Sequence, residues 1–217
     1  MSVAFCDEKE FWVTVCKVGA FSEALHGLKV GDKVGVRGPL GTHYNFKKGD
    51  RLALVAGGYG AAPMYFVANE AVKAGCKVEF LSGARNEDLL LYTQKILGLG
   101  SVNLHIATND GSVGFKGFVT VLLENILKKK KMDFVFSCGP EVMMNAVGKV
   151  CEKFKTKAYM SMEKYMKCGI GVCGQCAIDD TGDLVCKKGP VMDWNYLKKL
   201  PEMGAYHRDA QGKKHYF

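Results

Sequence analysis

Four cysteines within nineteen residues constrain this chain more than any other feature: Cys168-x4-Cys173-x2-Cys176-x9-Cys186. C-x4-C-x2-C with a fourth, distant cysteine is the plant-ferredoxin arrangement for a [2Fe–2S] cluster. Such a cluster needs four thiolates converging on two irons. A tight loop can deliver three of them, and a returning segment supplies the fourth. Gly169, Gly171 and Gly174 lie between the first ligands, where a tightly wound loop needs positive φ and free amides near sulfur. The rival is a structural zinc site, which favours paired C-x2-C elements. Only one such pair exists here, so the cluster is the preferred reading, and electron transfer follows from it.

The other five cysteines, Cys6, Cys16, Cys76, Cys138 and Cys151, are dispersed through apolar segments and read as small buried hydrophobes. An odd total of nine argues against a complete disulfide framework. The 217 residues are 48% hydrophobic and 24% charged, ordinary for a globular chain. No apolar run nears the roughly 20 residues of a membrane span. No basic region followed by an apolar stretch marks a secretory signal, so the cytoplasm is the expected compartment. Net charge is +8, but the lysines are scattered apart from the run Lys128, Lys129, Lys130 and Lys131. That run suits the carboxyl end of a helix. No aromatic residues interleave with it, which argues against nucleic-acid binding.

Residues 11–18 read as a strand. Residues 28–36 carry a Gly31-Asp32 turn signal and a short strand at 33–36, and a loop follows at 38–41. This is antiparallel β structure with too few strands to close a barrel. From residue 51 the pattern changes to alternation. Strands are expected at 51–56, 77–84, 102–107, 133–137 and 156–161, and helices at 63–74, 88–97, 118–130 and 141–154. Alternation of this kind predicts a parallel sheet with helices on both faces. Periodicity stops near residue 162, and a metal centre would help hold so small a segment together. A short helix at 194–200 is expected to pack over the cysteine loop, and residues 204–217 read as a flexible tail or a docking arm.

The stretch 56–63 follows the first strand of the alternating region and opens its first helix. Its Gly57, Gly58 and Gly60, with Pro63, would let backbone amides approach a pyrophosphate. The spacing is not G-x-G-x-x-G, and a tight turn without ligand is an equal reading. Cys138, Gly139 and Pro140 end the fourth strand at the same carboxyl edge, where open α/β sheets bind ligands. Arg85 reads equally as a phosphate contact and as a solvated loop residue. Asp110 reads equally as an adenine-ribose contact and as part of an Asp-Gly turn. The five histidines show no metal-site spacing.

Taken in order, GPLG at 38–41, GGYGAAP at 57–63, TNDGS at 108–112, CGP at 138–140, SME at 161–163 and CGIGVCGQC at 168–176 resemble the electron-transfer subunit of class-B dihydroorotate dehydrogenase. VCKKGPV at 185–191 fits as well. The resemblance implies an α/β chain in three parts. These are a partial antiparallel flavin-type β domain at 1–48, a parallel-sheet pyridine-nucleotide domain at 49–160, and a small [2Fe–2S] domain with its tail at 161–217. It implies an FMN-containing catalytic partner, a heterotetramer, and electron passage through the cluster and FAD to NAD in pyrimidine synthesis. Gly57, Gly58, Gly60, Pro63, Cys138, Gly139 and Pro140 would line the nicotinamide site, and Gly38, Pro39 and Gly41 would lie near the flavin. Met1-Ser2 matches only the last two positions of the family's Arg-Pro-x-Ser flavin motif, which leaves Ser2 as its polar contact. Gly19-Ala20-Phe21-Ser22 stands where Gly-x-Gly-Thr/Ser is expected. Three readings stay open: a partner completes the barrel, residues precede Met1, or the flavin is absent. Two other functions remain in view. One is a reductase-like subunit of a hydrogenase or NAD(P)H–ferredoxin oxidoreductase, and the other is a non-enzymatic iron–sulfur assembly subunit.

Overall fold

The computed structural model describes all 217 residues. In chain order the elements are β1 (Val3–Cys6), β2 (Phe11–Val13), α1 (Ala20–His26), β3 (Arg51–Gly57), α2 (Ala61–Lys73), β4 (Lys77–Ala84) and α3 (Thr93–Leu97). There follow β5 (Val102–Thr108), β6 (Phe115–Lys116), α4 (Val119–Lys129), β7 (Phe134–Cys138), α5 (Glu141–Lys153) and β8 (Lys157–Ser161). The last are α6 (Val185–Lys188), β9 (Val191–Asp193), α7 (Trp194–Leu197), β10 (Tyr206–Arg208) and β11 (Lys214–Tyr216).

Seven strands form one sheet in the order β6-β5-β4-β3-β7-β8-β9. All pairs are parallel except β8 with β9. Strand β3 is central, and its alternation decides the two core layers. Leu52, Leu54 and Ala56 face α2, whose Ala61, Met64, Tyr65, Ala68 and Ala71 recur at helical spacing. Ala53 and Val55 face the other way, toward Leu123 of α4 and Met144 and Val147 of α5. Burial on both faces explains why these strands read as continuous apolar runs. The order reverses between β3 and β7, so the ligand crevice of such a sheet lies at their carboxyl ends.

The expected strands and helices from residue 51 to 161 match within two residues, with one exception. The helix expected at 88–97 is a 3-10 turn at Glu87–Leu89 followed by α3. Tyr92 between them takes a left-handed φ of 64°, which breaks the helix.

The N-terminal expectations fare less well. The strand at 11–18 shortens to β2, and 33–36 forms no strand. With no neighbouring strand to accept their backbone groups, Val34 and Val36 stay exposed. Cys6 is exposed and Cys16 and Cys138 are half-buried, so of the five dispersed cysteines only Cys76 and Cys151 are the buried hydrophobes expected. The tail is an ordered hairpin, β10 with β11, rather than a flexible tail. Arg208 grips Asp179 at 2.9 Å and holds it in place. Strand β9, from the third segment, pairs antiparallel with β8 at the edge of the sheet.

Candidate iron–sulfur centre and nucleotide edge

The cysteine loop winds around one sulfur. Cys168 Sγ accepts N–H donors from Ile170 at 3.5 Å, Val172 at 3.4 Å and Cys173 at 3.4 Å. Gly169, Gly171 and Gly174 take φ of 70°, 87° and 72°, the left-handed region such winding requires. The Ile170, Cys173 and Val172 amides, with the Cys173 side chain, pull the Cys168 thiol down to about 6. That is an environment built for a thiolate. Cys176 and Cys186 form a second pair, with the Cys186 N–H on Cys176 Sγ at 3.4 Å. Burial first, and Cys176 second, push the Cys186 thiol up.

The two pairs sit differently. Cys176 and Cys186 belong to the same core as Ile178, Met160 and Met192, whereas Cys173 is exposed. The returning segment is fixed by backbone bonds, Val185 N–H to Cys176 O at 3.1 Å and Ile178 N–H to Asp183 O at 2.9 Å. No three His, Cys, Asp or Glu side chains are gathered tightly enough here to hold a metal ion between them. Two thiol pairs, one rigid and one on an amide-rich loop, fit a two-iron cluster.

The loop at 38–41 docks onto this module. Arg37 donates to the Cys168 carbonyl, and Leu40 lies against Gly169. A Cβ on Gly41, at φ +78°, would stand 2.6 Å from the Gly189 carbonyl oxygen, so only glycine fits there. The Thr42 N–H donates to that same oxygen at 2.7 Å, and its hydroxyl donates to Val191 O at 2.8 Å. Cysteine spacing alone gives no sign of Arg37, Leu40 and Thr42, which join the N-terminal segment to the cysteine loop.

At the carboxyl edge of the sheet the two ligand-compatible turns touch backbone to backbone. A Cβ on Gly60 would stand 2.0 Å from the Cys138 carbonyl oxygen, and one on Gly139 2.9 Å from the Gly57 nitrogen. Gly57 and Gly58 precede α2, and Pro63 lies in its first turn. Burial pushes the Cys138 thiol up to about 11, while a hydrogen bond with Ser161 at the end of β8 opposes the rise. Tyr44, also absent from the expected site, closes the floor by donating to Ser137 O at 2.8 Å.

Ser2 is exposed at the start of β1. Gly19 caps α1, and the Ser22 hydroxyl is committed to its own turn. It donates to Gly19 O at 2.9 Å and accepts from Val18 and Gly19 N–H at 2.9 and 3.0 Å. The Lys128–Lys131 run does end α4, as expected, but Lys130 pairs with Glu79.

Comparison with known proteins agrees with this architecture. Residues 163–198 match the family model "Iron-sulfur cluster binding domain of dihydroorotate dehydrogenase B", and residues 54–149 match "Oxidoreductase NAD-binding domain". A Methanocaldococcus jannaschii protein named "Probable dihydroorotate dehydrogenase B (NAD(+)), electron transfer subunit" is 44% identical over 97% of this chain and 83% of its own length. The Clostridium acetobutylicum "Dihydroorotate dehydrogenase B (NAD(+)), electron transfer subunit" is 36% identical over 88% of this chain and 75% of its own length. Among solved structures, one described as an NADH-dependent reduced ferredoxin-NADP oxidoreductase superposes with a TM-score of 0.79. It is 30% identical and covers 91% of this chain and 75% of its own. The paired thiols, the touching glycine turns and near-complete alignment with these relatives show that the chain belongs to the electron transfer subunit family of dihydroorotate dehydrogenase B.

Proposed function

We propose that this chain relays electrons from an FMN-containing dihydroorotate dehydrogenase catalytic subunit toward NAD in pyrimidine synthesis. The observation that carries the reading is the pair of thiol pairs formed by Cys168 with Cys173 and Cys176 with Cys186. A [2Fe–2S] cluster bound there supplies one-electron steps between two-electron carriers. The chain's own part is to hold four sulfurs and to aim amides at them, which sets how readily charge is accepted. At the sheet edge, Gly57, Gly58 and Gly60 free backbone amides for a pyrophosphate, Cys138, Gly139 and Pro140 border the nicotinamide position, and Pro63 starts the helix behind them. FAD would be met by Ser2 and by Gly38, Pro39 and Gly41 on the loop that already touches the cysteine module.

In this proposal substrate oxidation falls to the catalytic partner. The three-part division at 1–48, 49–160 and 161–217, a heterotetramer and a cytoplasmic location complete the proposal. No helix is long and apolar enough to cross a membrane. The 30% identity to an NADH-dependent ferredoxin-NADP oxidoreductase favours a second reading, in which the acceptor is another redox protein. The experiment is anaerobic purification with the partner, with flavin extracted and assigned chain by chain and dihydroorotate added. Cluster bleaching by dihydroorotate with NADH formation supports the relay. Iron-free protein, or no oxidation of dihydroorotate by the complex, refutes it.

A further inference from the structure

The four clustered thiols come from two segments, the loop 168–176 and the short helix α6, and residues 37–42 touch both. At one end Thr42 is fixed to the chain just after Cys186. Its N–H donates to Gly189 O at 2.7 Å, and its hydroxyl donates to Val191 O at 2.8 Å while accepting the Val191 N–H at 3.1 Å. At the other end Leu40 lies against Gly169, where an added Cβ would stand 2.8 Å from Leu40 Cδ1. There the Arg37 guanidinium donates through Nη2 to the Cys168 carbonyl. This stretch therefore runs from the segment of the fourth cysteine to the first cysteine itself.

The charge that arrives at Cys168 is uncompensated. Arg37 belongs to none of the chain's ion pairs. Lys187, beside Cys186, also has no carboxylate partner, but it meets the loop only by packing its methylenes on Gly171. Bond lengths keep a cysteine sulfur within about 5 Å of its own carbonyl oxygen, so a donor on that oxygen lies within roughly 8 Å of the sulfur. That is no more than about one Debye length at physiological salt, so the charge is felt there. A four-sulfur site becomes one unit more negative when it takes an electron, and a fixed cation at this range favours that state.

We propose that Arg37 raises the reduction potential of the cluster, because its bond to the Cys168 carbonyl holds an unpaired positive charge beside the first ligand. This inference rests on the proposed cluster site. Arg37 is a positioning residue, since it reaches the backbone of the ligand and not its sulfur. At roughly 8 Å the attraction shifts the reduction equilibrium about twofold in water and about thirtyfold at an effective dielectric constant near 20. For one electron a tenfold shift is about 59 mV, so twofold is about 18 mV.

The test is an anaerobic redox titration of the purified complex, with the reduced cluster followed by electron paramagnetic resonance. The native chain is compared with Arg37→Gln, Arg37→Met and Arg37→Lys. Gln keeps a side-chain donor without the charge, Met keeps the aliphatic stem, and Lys keeps the charge. The midpoint should fall by at least about 18 mV in the two neutral variants, and by half as much or less in Arg37→Lys. If one neutral variant loses the cluster, the other decides. A smaller fall in the neutral variants, or a fall in Arg37→Lys more than half as large as theirs, overturns the role of Arg37 and leaves the cluster site standing. Loss of the cluster from both neutral variants also overturns it, because Arg37 would then hold the module together rather than set its charge. If the native complex holds no iron, the cluster site itself is refuted, and this inference with it.

Discussion

Replacing Lys164 by Met should destabilise the chain far more than the ion pair it removes is worth. Lys164 and Glu202 are 7% and 1% exposed, with Nζ 2.6 Å from Oε1. The other carboxylate oxygen accepts the Asp179 N–H at 3.3 Å, and Oε1 has no well-directed hydrogen bond. Lys164 also faces Glu141, whose carboxyl is pushed up by burial and by Glu202 and held back by Gly204 and Lys164. Lys164→Met keeps the aliphatic stem but strands a buried carboxylate. Breaking a buried pair in this way costs about 3–5 kcal/mol. A chain of this size loses about 2–4 °C of Tm per kcal/mol, so the midpoint should fall by about 6–20 °C. The intact pair is worth much less, since desolvation opposes its attraction. Lys164→Met with Glu202→Leu should therefore recover most of the loss. Differential scanning calorimetry at neutral pH measures both variants, with visible absorbance checking that the cluster is retained. A fall under about 2 °C in the single variant, or a double variant no better than the single, would refute the reasoning.

Two further outcomes are expected. Arg208 first, then Tyr206 and Lys214, hold the Asp179 carboxyl down to about 2 from an ordinary 3.8. Its folded pKa lies below its unfolded one, so its contribution is fully present above about pH 4 and is lost as pH falls from 4 toward 2. Denaturant titrations across that range should show Asp179→Asn with a shallower acid limb than the native chain. Among the cysteines outside the cluster loop, exposed Cys6 should be alkylated first in the native state. Cys151, pushed by burial up to about 12, should react only on unfolding, as peptide mass spectrometry over time would read.

Much of this architecture was written locally. The alternation from residue 51 to 161 carries its own signal, because a strand buried on both faces must be apolar throughout and an amphipathic helix must repeat at 3.6. The proposed cluster ligands rest on a similar reason, since the spacing of Cys168, Cys173 and Cys176 suits the reach of one loop around two metal ions. What sequence could not decide was where separate segments meet. Whether residues 33–36 form a strand depends on neighbouring strands, so propensity alone misplaced it. The 204–217 tail shows no period, yet Asp179 and Arg208, far apart in sequence, make it an ordered hairpin. Likewise the short β9 joins the main sheet only because β8 presents a free edge. Residue type and spacing determined the chemistry and the central sheet. Tertiary structure decided that Gly41 abuts Gly189 and that Gly60 abuts Cys138, because such close approaches depend on three-dimensional juxtaposition of segments that local sequence does not encode.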